Sequence, residues 1–221
     1  MFSQPHDEDA PHEAAEAAAL QVAGLLRAGR VPDESHFDRF LPADLRAVSS
    51  TYWTPLEVVV RAARWLDEVG VSQVVDIGSG VGKFCVAGAL AGRCAYVGLE
   101  QRPRLVAAAS ELARQFGVQE RVRFVAGVFG EVPTPAADAY YFFNSFGENL
   151  FLPEDWLDHD TELGDGRFAR DLQCARVFLR SLPSGAYVLT YNGFGGRLPR
   201  SYAEVRIDRE LPNPLRLSRK R

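Results

Sequence analysis

Apolar residues recur with helical spacing in the first third of the chain and then form short runs separated by turns. Residues 13–30 are rich in Ala and Leu, and Leu20, Leu25 and Leu26 can share one stripe of a helix. Residues 32–45 predict one short helix between turn signals. Helical patterns therefore dominate the part of the chain that precedes the first strand-like run.

A stronger helix signal starts at Thr54. Its hydroxyl can cap the helix, and Pro55 fits the first helical position. The apolar positions that follow repeat at helical spacing, at Leu56, Val59, Val60, Ala63 and Leu66.

Short apolar runs then alternate with helical patterns. The runs read as strands are 73–77, 94–100, 122–126, 139–144, 186–191, 205–207 and 215–217. The helical patterns between them are 84–91, 103–116 and 166–182. Such alternation indicates βαβ units with right-handed crossovers, so the expected fold class is α/β, Rossmann-like and mostly parallel, with helices on both faces.

Composition narrows the function classes. The chain has 221 residues and a formal net charge of -4, which suits one α/β domain and gives no broad basic patch, so a nucleic-acid partner is not expected. Cys85, Cys94 and Cys174 form no C-x-x-C pair, and the four histidines have no ligand spacing, so neither a disulfide framework nor a metal site is expected. No signal peptide or bilayer-length apolar run is present, so we expect a soluble protein in the reducing cytoplasm.

The segment Val74–Phe84 reads V-V-D-I-G-S-G-V-G-K-F and joins a strand to a helix. Gly78 and Gly80 permit a sharp turn and let a ligand touch the backbone, while Gly82 lets the helix start pack closely against the strand. The spacing is G-x-G-x-G rather than the G-x-G-x-x-G of dinucleotide sites, which argues against an NAD-dependent oxidoreductase. Asp76 would repel a pyrophosphate but favours the ammonium and sulfonium of S-adenosylmethionine.

Glu100 ends the next strand, eighteen residues after Gly82. A carboxylate at this place accepts hydrogen bonds from ribose hydroxyls. A neutral side chain would leave two buried donors unpaired, at about 1–3 kcal/mol each. The glycine loop and Glu100 together are more specific than either feature alone.

The stretch D-I-G-S-G-V-G-K-F resembles motif I of class I S-adenosylmethionine-dependent methyltransferases, and G-L-E-Q resembles their motif II. Motif I is also similar to that of the non-SET histone lysine methyltransferases. The resemblance covers Thr51 to Tyr191 and implies a seven-stranded sheet whose last strand is antiparallel. It also implies that Glu100 holds the ribose and Gln101 lies beside the adenine, and that the cofactor is lined by Asp76, Gly78, Ser79, Gly80 and Gly82.

The chain departs from the family where many members carry an acid that contacts the adenine amine. The third strand here ends in A-G-V-F, and Val128 has no side-chain acceptor. The adenine amine would then donate its hydrogen bond to a backbone carbonyl or to Glu131. Phe129 either packs on the adenine face or is a core aromatic.

The methyl acceptor is expected at the end of the fourth strand, where the sequence reads N-S-F from Asn144. Similar N-P-P-[YF] and N-N-F segments occur in amine-methylating relatives, in which an Asn carbonyl orients the attacking amine. Ser145 departs from both patterns, and Asn144 could instead only end the strand. Thr54 could bind the cofactor's carboxylate or serve as a plain helix cap, and Glu148 could attract a cation or be a surface acid.

The sequence thus predicts a methyltransferase that uses S-adenosylmethionine, with Asn144 guiding a nitrogen of a protein lysine or a small-molecule amine. The alternative is a non-catalytic S-adenosylmethionine-binding module, or a subunit that needs a partner. Residues 1–53 are expected to form an extension and helical cap over the crevice, with Met1–Pro11 poorly ordered, and residues 54–221 the cofactor-binding domain. The acidic segment 154–160 is expected to be a lid, a dock for a basic partner, or a solvated loop.

Overall fold

The computed structural model describes the backbone of residues 9–221 and the side chains of residues 13–221. The expectation for Met1–Pro11 lies largely outside this range, but Asp9 to Pro11 already belong to a helix. Within the described residues five helices precede the first strand, and they are α1 (Asp9–Arg27), α2 (Glu34–Asp38), α3 (Ala43–Ala47), α4 (Ser49–Tyr52) and α5 (Leu56–Glu68).

The prediction of one helix over residues 32–45 is wrong, because α2 ends before Pro42 and α3 starts after it. A proline inside a helix has no N–H to donate and clashes with the preceding turn. The proline therefore separates two short helices, and α4 follows as a third.

Helix α1 buries Leu26 as expected, but the rest of its buried stripe differs from the prediction. Its buried side chains are Ala19, Val22, Ala23 and Leu26, whereas Leu20 is 62% exposed. Positions 19, 22, 23 and 26 share one helical face, and Leu20 is rotated about 100° away from Ala19. Small residues on this face suit a helix that packs against another helix at close range.

The predicted role of Thr54 as a helix cap is wrong. Helix α5 begins at Leu56, and the backbone N–H of Leu56 donates to Glu34 Oε1 at 2.6 Å. The Thr54 hydroxyl is buried and lies 3.0 Å from the hydroxyl of Tyr141. A side chain on α2 therefore satisfies the first orphan donor of α5.

The remaining elements are β1 (Gln73–Ile77), α6 (Lys83–Ala91), β2 (Ala95–Glu100), α7 (Pro103–Gln115), β3 (Val122–Ala126), β4 (Ala139–Phe143), α8 (Asp165–Ser181), β5 (Tyr187–Tyr191), β6 (Tyr202–Asp208) and β7 (Leu215–Lys220). They form one seven-stranded sheet in the order β3-β2-β1-β4-β5-β7-β6. The first five strands pair in parallel, and β7 is antiparallel to both β5 and β6. This confirms the expected α/β fold class.

The sheet is covered unequally on its two faces. Val74 belongs to a core that includes residues of α1, α2, α5, α6 and α7, whereas Val75 and Ile77 belong to the core beneath α8. The strand order reverses between β1 and β4, so their carboxyl ends open a crevice there. The loops after β1, β2 and β4 meet at this crevice.

Candidate active site

A cavity of about 400 Å³ lies over the carboxyl ends of the central strands. Its volume is within the range of about 300–1,000 Å³ that holds small ligands. The side chains and backbone that the sequence singled out and that line this cavity are Gly78, Gly80, Glu100, Gln101, Phe129 and Asn144. Thr54, Asp76 and Ser79 line a small side pocket that shares Gly78 with the cavity.

The glycine loop has the backbone conformation that its sequence requires. Gly80 has a φ of +54° and Gly82 a φ of +73°, both in the left-handed region. A Cβ on Gly80 would lie 2.4 Å from the Trp53 ring, and one on Gly82 would lie 2.4 Å from the ring of Phe124. Trp53 therefore rests directly on the loop at Gly80.

Gly82 lines neither the cavity nor the side pocket. It precedes α6 as its N-cap and packs against Phe124 of β3 and Ala109 of α7. Its close packing was expected, although its neighbours belong to β3 and α7 rather than to the strand before the loop. Its contribution to a ligand site is thus to shape the loop.

The Glu100 carboxylate connects the loop after β1 with the loop after β2. Its Oε2 accepts from the Gly80 N–H at 2.9 Å, and its Oε1 accepts from the Arg102 N–H at 2.9 Å. Burial raises the pKa of Glu100, although these backbone N–H groups oppose the rise. Each carboxylate oxygen keeps a lone pair for a ligand in the cavity.

Asp76 is a buried carboxyl group that is 4% exposed. Cys85 Sγ lies 3.6 Å from its Oδ2, which is a weak hydrogen bond. Burial raises the pKa of Asp76 to about 8, the Cys85 contact lowers it, and the charge of Glu100 raises it further. A cation in the neighbouring cavity would favour the ionised form of this group.

Two further hydroxyls line the side pocket with Asp76. Ser79 Oγ is buried and has no hydrogen-bond partner among the described residues. Thr54 Oγ1 shares its hydrogen bond with the Tyr141 hydroxyl, and either oxygen can be the donor. When Tyr141 donates, Thr54 keeps a proton for another acceptor.

Lys83 follows the loop directly and is almost fully buried, which the sequence did not reveal. Its Nζ lies 2.5 Å from Glu34 Oε2 and 2.6 Å from Asp38 Oδ1, and it donates to Ser49 Oγ at 3.2 Å. We call these residues the Lys83 cluster. Through Glu34, the cluster joins the first turn of α6 to α2 and to the start of α5.

The wall after β3 has no acid. Gly127 and Phe129 line the cavity, whereas Val128 does not. Phe129 is 8% exposed and its ring stacks on Phe146 at 5.9 Å between centroids. Glu131, one of the two acceptors left open for the adenine amine, is exposed and lies outside the cavity wall.

A polar wall from α8 faces this region instead. Arg167 donates from Nη2 to Gln101 Oε1 at 3.3 Å and from Nε to Asp171 Oδ1 at 2.8 Å. The side chain of Asn149 donates to Asp171 Oδ2 at 3.3 Å. Asp171 is 6% exposed and lines the cavity, so a buried carboxylate is present on this side of the cavity after all.

Residues 147–164, which we call the strap, cross over the cavity between β4 and α8. Arg102 holds the strap through both carboxylate oxygens of Glu148, at 2.8 and 3.0 Å, and its Nε lies 2.9 Å from Asp158 Oδ2. Burial lowers the pKa of Arg102, but the two carboxylates outweigh this and raise it. Arg102 therefore fixes the Glu148 carboxylate in the cavity wall, so this side chain is not a freely solvated surface acid.

Asn144 lies at the cavity mouth directly after β4, exposed and in a left-handed conformation with a φ of +47°. Its Oδ1 accepts from the side chain of Asn192 at 3.0 Å, and Asn192 follows β5 with a φ of +57°. Asparagine tolerates this conformation better than most residues. The two amides therefore form a pair across the ends of adjacent strands.

Comparison with known proteins agrees with this architecture. No protein-family model matches the sequence, and a search of curated proteins finds no match. Among solved structures, an RNA methyltransferase from Salinibacter ruber, in complex with S-adenosyl-L-homocysteine, has a TM-score of 0.52 and 22% identity over 74% of this chain and 90% of its own. The mitomycin 7-O-methyltransferase MmcR has a TM-score of 0.56 and 18% identity over 92% of this chain.

The chain has the class I methyltransferase fold. An O-methyltransferase family 2 protein from Planctomyces limnophilus, in complex with apigenin, adds a TM-score of 0.54 at 19% identity. The chain spans 60% of MmcR and 62% of the Planctomyces protein. The proteins that share this fold include an RNA methyltransferase and a mitomycin O-methyltransferase, so the fold is compatible with different methyl acceptors.

Within residues 9–221, no helix is both long and apolar enough to cross a membrane. No group of three or more His, Cys, Asp or Glu side chains in this part of the chain could hold a metal ion.

Proposed function

We propose that the protein is an S-adenosylmethionine-dependent methyltransferase that methylates an amine nitrogen of a protein lysine or a small molecule. The observation that carries this proposal is the joining of the left-handed loop at Gly80 to the buried carboxylate of Glu100, at the edge of a ligand-sized cavity. A Cβ at Gly80 would clash with the Trp53 ring in the cavity wall, and a site without Glu100 would lack a ribose acceptor. The unpartnered Ser79 hydroxyl beside Asp76 fits a polar ligand at the same place.

In the pose we propose, Glu100 accepts from the ribose hydroxyls while Gln101 and Phe129 flank the adenine. Asp171 takes the role of the missing acid after β3 and accepts from the adenine amine, because its carboxylate keeps lone pairs beyond its bonds to Arg167 and Asn149. This assignment replaces Glu131, which is outside the cavity. Adenine recognition would thus come from α8 rather than from the loop after β3.

The methionine end of the cofactor would lie over Gly78 and the side pocket. There Asp76 would face its positive charge, and Thr54 and Ser79 could donate to its carboxylate. Trp53, resting on Gly80, would close this end from above and exclude water. The cofactor supplies an electrophilic methyl group on a sulfonium that leaves as a neutral thioether.

The Asn144 and Asn192 pair would position the acceptor. Asn144 Oδ1 accepts one hydrogen bond from Asn192 and can accept a second from an N–H of the amine that is to be methylated. That second bond would turn the nitrogen lone pair toward the methyl group, and alignment of this kind supplies much of the acceleration in a displacement reaction. The proton released from the nitrogen can pass to water at the exposed mouth.

Calorimetric titration with S-adenosylmethionine and S-adenosylhomocysteine tests the cofactor. We expect a Kd near micromolar, about -8 kcal/mol, that weakens at least tenfold in Asp76→Ala and stays unchanged in Glu131→Ala, which alters an acid outside the cavity. Absence of binding to the wild type would refute the proposal. With an amine substrate in hand, Asn144→Ala should lower turnover while leaving the cofactor Kd within twofold.

A further inference from the structure

The outer face of the strap combines exposed apolar side chains with unpaired acids. Among the described residues seven large apolar side chains are exposed, and three of them are consecutive, namely Leu150, Phe151 and Leu152 at 58, 37 and 62% exposure. Leu150 and Phe151 also line the mouth of the cavity. A run of this kind beside a ligand site is typical of a surface that binds another molecule.

A groove runs beside this apolar run, between α3, α4 and the strap. Its volume is about 570 Å³, and Val48, Phe151 and Trp156 supply its apolar walls. The groove joins the cavity, because Thr51, Tyr52, Phe151 and Leu157 line both. The Tyr52 hydroxyl donates to the Asp155 carbonyl at 2.7 Å and thereby links α4 to the strap across the groove.

The charge along the groove that has no ion-pair partner among the described residues is negative. The strap contains six Asp and Glu residues and no Lys or Arg. Glu148, Asp158 and Glu162 have arginine partners, whereas Glu154, Asp155 and Asp160 are exposed and have no ion-pair partner among the described residues. The cation that lines the groove, Arg104, is neutralised by Asp44 at 2.8 Å.

We propose that this groove is the docking surface for a basic protein segment that carries an apolar side chain beside the methylated lysine. The inference rests on the proposed function and selects a protein lysine over a free small amine. A groove with apolar walls and uncompensated acids complements a segment of alternating cationic and apolar residues. Because the groove opens into the cavity at Tyr52 and Phe151, a lysine of the docked segment can reach the mouth where Asn144 lies.

The test measures the binding of fluorescein-labelled twelve-residue peptides to the full chain in the presence of S-adenosylhomocysteine, by fluorescence anisotropy. The probe peptide alternates Arg and Leu around a central Lys, and two control peptides replace Arg by Glu or Leu by Ser. We expect the probe to bind and each control peptide to bind at least tenfold more weakly. Raising the salt concentration should weaken the probe further, because part of the attraction is between exposed charges.

Variants with matched controls locate the surface. Leu152→Ser should weaken probe binding about tenfold, whereas Leu20→Ser, which changes an equally exposed leucine on α1, should leave it within twofold. Glu154→Gln with Asp155→Asn should weaken it at least tenfold, and the exposed pair Glu120→Gln with Glu210→Gln should not. These variants lie outside the cavity wall, so their affinity for S-adenosylhomocysteine should match that of the wild type.

Equal probe affinity in the strap variants and their controls would overturn the inference, as would equal binding of the Glu-containing peptide. A second copy of this chain as the occupant would also overturn it, and would show as a concentration-dependent mass in sedimentation that Leu152→Ser abolishes. Failure of the wild type to bind S-adenosylhomocysteine is a separate result, because it refutes the proposed function whatever the peptides do.

Discussion

Asp76 allows the proposed site to be tested without any knowledge of the acceptor. The substitution Asp76→Asn keeps the shape of the side chain and removes its charge. Because the carboxyl is buried and the Cys85 contact offsets only part of the desolvation, the folded chain favours its neutral form. We therefore expect Asp76→Asn to stabilise the fold near neutral pH and to weaken S-adenosylmethionine binding.

The magnitude follows from the pKa of Asp76, which is about 8 in the fold against 3.8 for an aspartate in water. A raised pKa means that the folded state binds the proton more tightly, so this group contributes its stability below pH 3.8 and loses it as the pH rises toward 8. Within that window the wild type should lose up to about 1.4 kcal/mol per pH unit relative to the variant. Summed over about four units, the upper bound is on the order of 5 kcal/mol.

The stability assay is urea unfolding of the wild type and Asp76→Asn at several pH values between about 4 and 8. Asp138→Asn is the matched control, because its carboxylate accepts from Ser72 and Gln73 at the opposite end of β1 and has a lowered pKa. Its difference from the wild type should not grow between pH 5 and pH 8, since Asp138 is ionised throughout that range.

The binding assay uses the same variants. A cationic cofactor favours ionised Asp76, so S-adenosylmethionine affinity should rise with pH and level off above about 8. Titration calorimetry in buffers of different ionisation enthalpy should detect proton release at pH 7 in the wild type and less in Asp76→Asn. Parallel stability curves for wild type and variant, or proton release that persists in Asp76→Asn, would refute this reasoning.

Three further predictions concern the loop, the strap and the adenine wall. Gly80→Ala places a Cβ against the tryptophan ring and should weaken S-adenosylhomocysteine binding more than tenfold, whereas Gly117→Ala, with a φ of +64° and open space, should only strain its own turn by about 1 kcal/mol. Arg102→Met leaves two carboxylates without their arginine, so it should cost about 3 kcal/mol or more and speed amide exchange in residues 147–164. Arg104→Met, which breaks an exposed pair, should cost less than about 1 kcal/mol, and equal amide exchange in the two variants would show that Arg102 does not hold the strap. The inosine analogue of S-adenosylhomocysteine lacks the adenine amine, so Asp171→Asn should reduce the ratio of the Kd for this analogue to the Kd for S-adenosylhomocysteine. An unchanged ratio would show that Asp171 does not recognise the adenine.

The central strands could be located from the sequence because both of their faces are buried. The structure places β1 at residues 73–77, as predicted, since its apolar run ends where glycines begin. The edge strand β3 also lies at its predicted residues 122–126, although Val122 is its one buried residue. The glycine loop and Glu100 were found for a related reason. Their chemistry depends on backbone conformation and on the ends of strands, which local sequence determines.

Features that depend on distant partners were not predictable in the same way. Thr54 has the residue type of a helix cap, but a carboxylate on α2 satisfies the helix start. Arg102, Arg167 and Asp171 look like solvated charges in the sequence, yet the fold buries them around the cavity. The expected stripe of α1 included the large residue Leu20, which is exposed, and missed Ala19 and Ala23, which are buried beside Val22 and Leu26.

The Lys83 cluster determines where this chain can be cut and what can be exchanged with a relative. Its two acids precede the ammonium by 49 and 45 positions, so a deletion that removes α2 leaves the Lys83 ammonium without its counter-charges. Such a loss costs about 3–5 kcal/mol, which is a large part of the stability of an ordinary domain. Shortened versions should therefore retain Glu34 and Asp38. A chimera that takes its N-terminal segment from another protein should also take that protein's residue at the position equivalent to Lys83.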